Sequence, residues 1–293
     1  MQKTYRMPSH DKFDFEKTIH SLRRGEQDPV NIIANNRWTR CFNLQNKPVI
    51  IETFKKKQII MNQLYGSASA PEVKNAVSRC LGLDDPLWTT SPGRKYRKLA
   101  EHWHFSIPGY ASLFEAFVLT IFGQLVSVAV ANHMRKNFMI TFGESHSFDG
   151  QTFLEFPRPE VIATISIDSL ASLKITSMKA RSIIELAQGF VEDDLATKIA
   201  LADRAQLYAL LKQYHGIGRW TIDWVALREL RQFDIIPSTD LAVRKAFSWW
   251  FDTPEILNAS DLDVIANDLY PLGGAIMYRV LSAYSAAQTR FID

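Results

Sequence analysis

The spacing of apolar residues changes character near residue 110. Between Cys41 and Gly66 (CFNLQNKPVIIETFKKKQIIMNQLYG) they come in short β-branched runs: Val49, Ile50 and Ile51, then Ile59, Ile60, Met61 and Leu64. Breaks fall at Lys55–Lys57 and Gly66. Such patches predict two or three antiparallel strands. From Ala70 to Leu83, Val73, Ala76, Val77, Cys80 and Leu81 recur at helical spacing, and Asp84-Asp85-Pro86 closes that helix. From Ser112 the pattern becomes helical throughout. SLFEAFVLTIFGQLVSVAVANHMRKNFM is one long apolar-periodic stretch, predicted as a buried helix and followed by a polar loop around Gly143–Gly150. PEVIATISIDSLASL, KARSIIELAQGFVED, DRAQLYALLKQY, RWTIDWVALRELRQF, DLAVRKAFSWWF, DLDVIANDLYPLG and AIMYRVLSAYSAAQT read in turn as helices. Caps accompany them: Ser112 with Glu115 as a capping box, Asp203 before AQLYAL, and Thr239/Asp240 before LAVRKAF. The expected fold is an α+β N-terminal domain with a small antiparallel sheet (1–92), followed by a mainly α-helical core (93–293).

Composition fits an ordinary globular chain: 46% hydrophobic, 12% aromatic and 22% charged residues exclude disorder, collagen and coiled coil. The net charge of +3 decides nothing about partners. Its distribution is uneven, with 18 Lys and Arg against 10 Asp and Glu over residues 1–110 (+8), and 16 against 21 over 111–293 (−5). Two cysteines, Cys41 and Cys80, are too few for a four-thiolate zinc site or an iron–sulfur cluster, and are expected reduced and buried. Of seven histidines only His102 and His104 are close together, so no transition-metal site is suggested. The start has no apolar signal run, and Ala116–Met134, although uncharged, carries too many polar residues to favour lipid. A cytoplasmic monomer is the expectation.

The sharpest local feature is LLKQYHGIGRWTIDWVAL (Leu210–Leu227). One helix ends at Tyr214-His215, the turn His215-Gly216-Ile217-Gly218 reverses the chain, and Arg219 starts another. Ile217 would plug the turn into the core. The N–H groups of Gly216–Arg219, at the positive end of a helix dipole, would face outward as an anion site suited to a phosphate. Downstream, IIPSTDLAVRKAF places Asp240 at the head of a helix, where it reads equally well as an N-cap or as a catalytic carboxylate.

The hairpin LxxYxGIGxWT followed about twenty residues later by PxxDL resembles the signature of helix-hairpin-helix DNA glycosylases. Phe114–Met134, Phe156–Glu192 and Ser78–Leu87 are similar to segments of one branch, the bacterial 3-methyladenine DNA glycosylase II (AlkA) type. The resemblance implies a three-domain layout, with helical subdomains at about 112–230 and at 93–111 plus 231–293. It implies a monofunctional enzyme that flips alkylated purines of the 3-methyladenine and 7-methylguanine type out of double-stranded DNA and hydrolyses the glycosidic bond. Asp240 would stabilise the oxocarbenium-like sugar, orient water, or both. Trp220 stands where strand-cutting relatives carry a Schiff-base lysine. Trp220, Trp224 and Leu241 would line the base pocket, the indoles attracting a cationic base by about 0.5–2 kcal/mol each. Leu125 would fill the gap left by the flipped base, and Gln124 would contact the opposite strand. A monovalent cation such as Na or K would sit at the carbonyls of Lys212, Tyr214 and Ile217.

The chain departs from that pattern at His215, where the family usually has Pro, and at Leu272-Gly273, where it commonly has a Pro-Trp-Arg-Ser-like stretch. Two alternatives stand beside the main reading: an oxidised-purine glycosylase of the same superfamily, and a non-catalytic helix-hairpin-helix DNA-binding protein.

Overall fold

The computed structural model describes residues 3–23, 28–87, 91 and 93–289. The N-terminal part comprises β1 (Lys3–Pro8), α1 (Phe15–Leu22), β2 (Ile32–Ala34), β3 (Arg37–Leu44), β4 (Lys47–Lys56), β5 (Ile59–Tyr65) and α2 (Ala70–Leu81). Its five strands form one antiparallel sheet in the order β1-β5-β4-β3-β2. The β3–β4 turn puts Gln45 and Asn46 at φ 52° and 59°, the left-handed pair that a tight hairpin requires. β4 and β5 lie where the two β-branched runs predict them, and β3 supplies a third strand that starts at Arg37, before the segment that carries those runs. β1 and β2 come from KTYRMP and IIA, whose patterns are too short to announce a strand, and β1 gains its place by pairing with β5. Trp38, Phe42, Ile51 and Leu64 of the sheet bury against Ile19 of α1 and Val73, Val77 and Leu81 of α2. Helix α2 opens on a Ser69/Glu72 capping box and stops at Gly82, two residues before the Asp-Pro break. A Cβ at Gly82 would lie 2.2 Å from the Ile107 carbonyl oxygen, and its φ is +61°.

After a 3₁₀ stretch (Arg94–His102) come α3 (Leu113–Gly123), α4 (Val128–Phe142), β6 (Ser145–Phe148), β7 (Gln151–Leu154), α5 (Pro159–Ile162), α6 (Ile167–Ala171) and α7 (Ser177–Glu192). Then follow α8 (Leu195–Leu201), α9 (Arg204–Leu211), α10 (Arg219–Arg228), α11 (Leu241–Phe251), α12 (Ala259–Asp268) and α13 (Gly273–Thr289). Two hydrophobic clusters organise these helices. Phe117, Phe122, Phe138, Ile183 and Ile222 belong to one. Leu227, Val243, Phe247, Met277 and Val280 belong to the other. Helix α10 feeds both, since Ile222, Val225 and Ala226 enter the first while Leu227 enters the second. Positions 88–90 and 92, next to the expected 92/93 boundary, lie outside the described residues. Cys41 and Cys80 are buried and free, as expected. Among the described residues no helix is long and apolar enough to cross a membrane.

Four local expectations need correction. The long apolar stretch is two helices, because Gln124 leaves the helix with ψ 125°, Leu125 adopts φ +55°, and Ser127 caps a new helix. The polar loop at Gly143–Gly150 contributes to a hairpin, β6–β7, with register Ser145↔Leu154 to Phe148↔Gln151. PEVIATISIDSLASL makes two short helices, the second restarted by the Ser166 cap. The capping box at Ser112 is half made. Ser112 Oγ accepts from the Glu115 N–H at 3.1 Å, but the Glu115 carboxylate turns to Arg40 of β3 instead of back to the cap.

Candidate active site

The hairpin between α9 and α10 forms, and only one of its two glycines is sterically required. Gly216 has φ +69°, and a Cβ there would lie 2.5 Å from Ser182 Oγ on α7. Ile217 is buried in the first helical core, and its N–H closes the turn onto the Tyr214 carbonyl at 3.2 Å. Gly218 is different: its φ of −106° suits any residue, and a Cβ there would meet nothing within 4 Å. It caps α10 without a side-chain hydrogen bond, leaving the first-turn N–H groups of that helix open. His215 explains its own departure from Pro. Its backbone N–H donates to Glu185 Oε2 at 2.9 Å, a bond that proline cannot make. The guanidinium of Arg219 pairs with Asp263 at 2.7 Å and lies 3.4 Å from Asp223, so its backbone rather than its side chain sits at the turn.

Asp240 caps α11 and also meets two indoles of α10. Its Oδ1 accepts from the N–H groups of Ala242 (2.7 Å) and Val243 (3.2 Å) at the start of α11. Its Oδ2 accepts from the indole N–H groups of Trp220 (2.9 Å) and Trp224 (3.0 Å), one turn apart on α10. Four donors thus fix one half-buried carboxylate, and the indoles meet it edge-on. A Cβ at Gly123 would lie 3.6 Å from the Trp220 ring, so this indole runs from Asp240 to the end of α3. Leu241, expected in the pocket, stands exposed on the first turn of α11.

The break after α3 carries the most exposed large apolar residue in the described chain: Leu125, at 103% relative accessibility and positive φ. A leucine in that conformation costs on the order of 1–2 kcal/mol, and its exposure returns nothing to folding. The turn beneath it is held firmly. Gln124 Nε2 donates to the Gly216 carbonyl (3.1 Å) and Thr221 Oγ1 (2.8 Å), tying the turn to the hairpin. Lys179 Nζ, from α7, donates to the carbonyls of Phe122 (3.1 Å) and Gln124 (2.8 Å). Burial, with Arg135 beside it, pulls the Lys179 ammonium down from 10.5 to about 8. Unfolding therefore takes up a proton at this residue between those values, and stability rises with pH across that window. Urea unfolding at pH 7.5 and pH 10 will show this rise in the parent, and a smaller one in Lys179→Met; equal rises would disprove the assignment.

Trp224 also borders a cleft of about 520 Å³ between α1, the 3₁₀ stretch and α13. Lys17, His20, His102, Tyr278 and Ser282 line it, with Tyr278 stacked on Phe105 at 5.7 Å and His102 Nδ1 3.0 Å from Ser282 Oγ. Sequence spacing gives no signal for these residues, because four separate segments bring them together. Leu272, by contrast, packs against the second helical core. The Gly-Gly after it is steric: a Cβ at Gly274 would lie 2.2 Å from the Ile235 carbonyl oxygen, in the loop leading to Asp240.

Residues 118–269 match the profile of the HhH-GPD superfamily base excision DNA repair protein family. The chain is 26% identical over 251 residues to the DNA-3-methyladenine glycosylase of Bacillus subtilis, covering 79% of this chain and 80% of that protein. It is 28% identical over 201 residues to DNA-3-methyladenine glycosylase 2 of Escherichia coli, covering 69% of this chain and 63% of the relative. In fold it is similar to the 3-methyladenine DNA glycosylase of Archaeoglobus fulgidus, with TM-score 0.83 and 22% identity over 96% of this chain and 98% of that one. With the family profile spanning just over half its length, the chain belongs to the HhH-GPD superfamily of base excision DNA repair proteins.

Proposed function

We propose that the protein is a monofunctional DNA N-glycosylase that acts as a monomer on duplex DNA, releasing alkylated purines of the 3-methyladenine and 7-methylguanine type. The observation that carries this reading is Asp240, held by two backbone and two indole N–H groups beside the turn that presents Leu125. The open N-terminus of α10 takes a duplex phosphate, Leu125 enters the stack, and the displaced nucleotide turns into the space beside Trp220 and Trp224. The cleft beyond Trp224 falls within the usual size of a ligand pocket, and its polar edges suit a base. An alkylated purine is already cationic and departs without a general acid, so one carboxylate suffices where glycosidases use two. The same hairpin would hold a monovalent cation through the carbonyls of Lys212, Tyr214 and Ile217.

The four donors on Asp240 favour one of its two expected roles. A carboxylate has about four lone-pair sites, and here each faces an N–H group. Asp240 therefore acts mainly as a fixed negative charge under the oxocarbenium-like sugar. Taking a proton from water would require it to release one of those donors.

Duplexes carrying 7-methylguanine, 3-methyladenine or 8-oxoguanine test the reading directly. Free alkylated base and nicks that appear only after alkali are expected. Nicks without alkali would refute the monofunctional assignment, and release of 8-oxoguanine alone would favour the oxidised-purine alternative. Binding without release from any duplex would mean a non-catalytic protein. The two hairpin glycines provide a second test. Gly218→Ala should unfold within about 0.5 kcal/mol of the parent yet bind a duplex oligonucleotide measurably more weakly by anisotropy. Gly216→Ala should cost about 1–3 kcal/mol of stability. If Gly218→Ala binds like the parent, the phosphate is not held there.

A further inference from the structure

Three side chains distant in sequence meet where the β6–β7 hairpin covers the outer face of β3. Cys41, His146 and Glu155 each offer a ligand atom, and these atoms all lie within 4.8 Å of one another. Strand geometry brings them together. Cys41 and Asn43 share the face of β3 opposite Trp38 and Phe42. His146 pairs with Phe153 across the hairpin, Phe153 packs against Cys41 and Ile50, and Glu155 follows two residues later on the same side. Cys41 and Glu155 are buried and His146 half-buried.

The two oxygens of Glu155 are divided between tasks. Oε1 accepts from Asn43 Nδ2 at 3.0 Å and lies 3.4 Å from Arg158 Nε, while Oε2 faces His146 Nε2 at 2.9 Å. The carboxylate is thus oriented from outside, with its inner oxygen directed at the other two ligands. This is how the surroundings of a metal ligand commonly fix it. A small cavity lined by Cys41, Glu155 and Arg158 gives access from the protein surface.

We propose that Cys41, His146 and Glu155 bind one divalent cation of the Zn²⁺ class, with a water as fourth ligand. One sulfur, one imidazole nitrogen and one carboxylate suit a tetrahedral borderline-soft ion, whereas Mg²⁺ and Ca²⁺ call for oxygen alone. On binding, the Cys41 thiol releases its proton to solvent and the Sγ–metal bond forms. His146 supplies the Nε2 lone pair and carries its proton on Nδ1, and Glu155 Oε2 exchanges its hydrogen bond to His146 for the metal. Thiolate and carboxylate together neutralise the dication. Because the thiol must lose its proton to bind, metal uptake releases a proton and strengthens as pH rises. The ion would pin the N-terminal sheet to the hairpin inserted between α4 and α5.

Cobalt is the probe, added to the full-length protein after treatment with chelator. A thiolate-to-cobalt charge-transfer band should rise and saturate at one equivalent, and excess Zn²⁺ should abolish it. The band should vanish in Cys41→Ser and persist in Cys80→Ser. His146→Asn should weaken Zn²⁺ binding by at least about tenfold, the loss seen when even an outer partner is removed. No band in the parent at one equivalent would overturn the proposal whatever the variants do, as would an equal band in Cys41→Ser.

Discussion

Asp240→Asn will abolish most base release while duplex binding and folding survive. A carboxylate about 4 Å from a developing positive charge, at an effective dielectric near 20, contributes about 4 kcal/mol. Each 1.4 kcal/mol is a factor of ten in rate, so the single-turnover rate should fall by about 10²–10³-fold. Folding is spared because Asn caps a helix as well as Asp does. Its oxygen can still accept from the Ala242 and Val243 N–H groups, which leaves the new NH₂ facing two indole N–H donors. Trp220 and Trp224 must then shift, and tryptophan fluorescence will report it. Trp220→Phe keeps the charge and removes one donor, so it should cost far less, about tenfold. Single-turnover excision from a 7-methylguanine duplex, beside anisotropy on the same duplex, separates chemistry from binding. Asp240→Asn activity within tenfold of the parent would leave Asp240 only its capping role.

What the sequence made legible, and what it did not, follows from how local each signal is. The hairpin was readable because Gly216 and Ile217 act within a few residues: one supplies the positive φ, the other the plug. Asp240 was readable as a cap for the same reason, but its second pair of donors was not. Trp220 and Trp224 reach it from 20 and 16 residues upstream, and only their spacing on one helix face hinted at a shared target. The break at Leu125 was missed because GQLVS is as apolar as the helices on either side. The carbonyls freed there are satisfied by Lys179, some 55 residues downstream, which no helical pattern announces. Glu115 shows the converse failure. Ser-x-x-Glu is a sound capping signal, yet a buried arginine on the sheet takes the carboxylate instead.

That arginine belongs to a buried ion pair on which a large stability effect is expected. Arg40 and Glu115 are 3% and 2% exposed and meet through two hydrogen bonds of 3.0 and 2.5 Å. Burial pulls the Arg40 guanidinium down, but Glu115 together with Cys80 and Asp28 holds it above its ordinary range. Asn31 Oδ1 accepts from both Arg40 Nη1 (3.2 Å) and Trp38 Nε1 (3.1 Å), and Asp28 holds the Asn31 amide in turn. The network joins the β2–β3 region to the first turn of α3, the helix whose far end presents Leu125. Removing either partner leaves the other charge buried without its counter-ion, at about 3–5 kcal/mol. At roughly 2–4 °C per kcal/mol for a chain of this order, Arg40→Met and Glu115→Leu should each lower Tm by about 6–20 °C. The double variant should recover most of that loss, because two apolar side chains of similar volume need no partner. Thermal unfolding of the two singles and the double closes the cycle. Singles within about 1 kcal/mol of the parent would mean that water reaches the pair and that α3 is anchored by its apolar face alone.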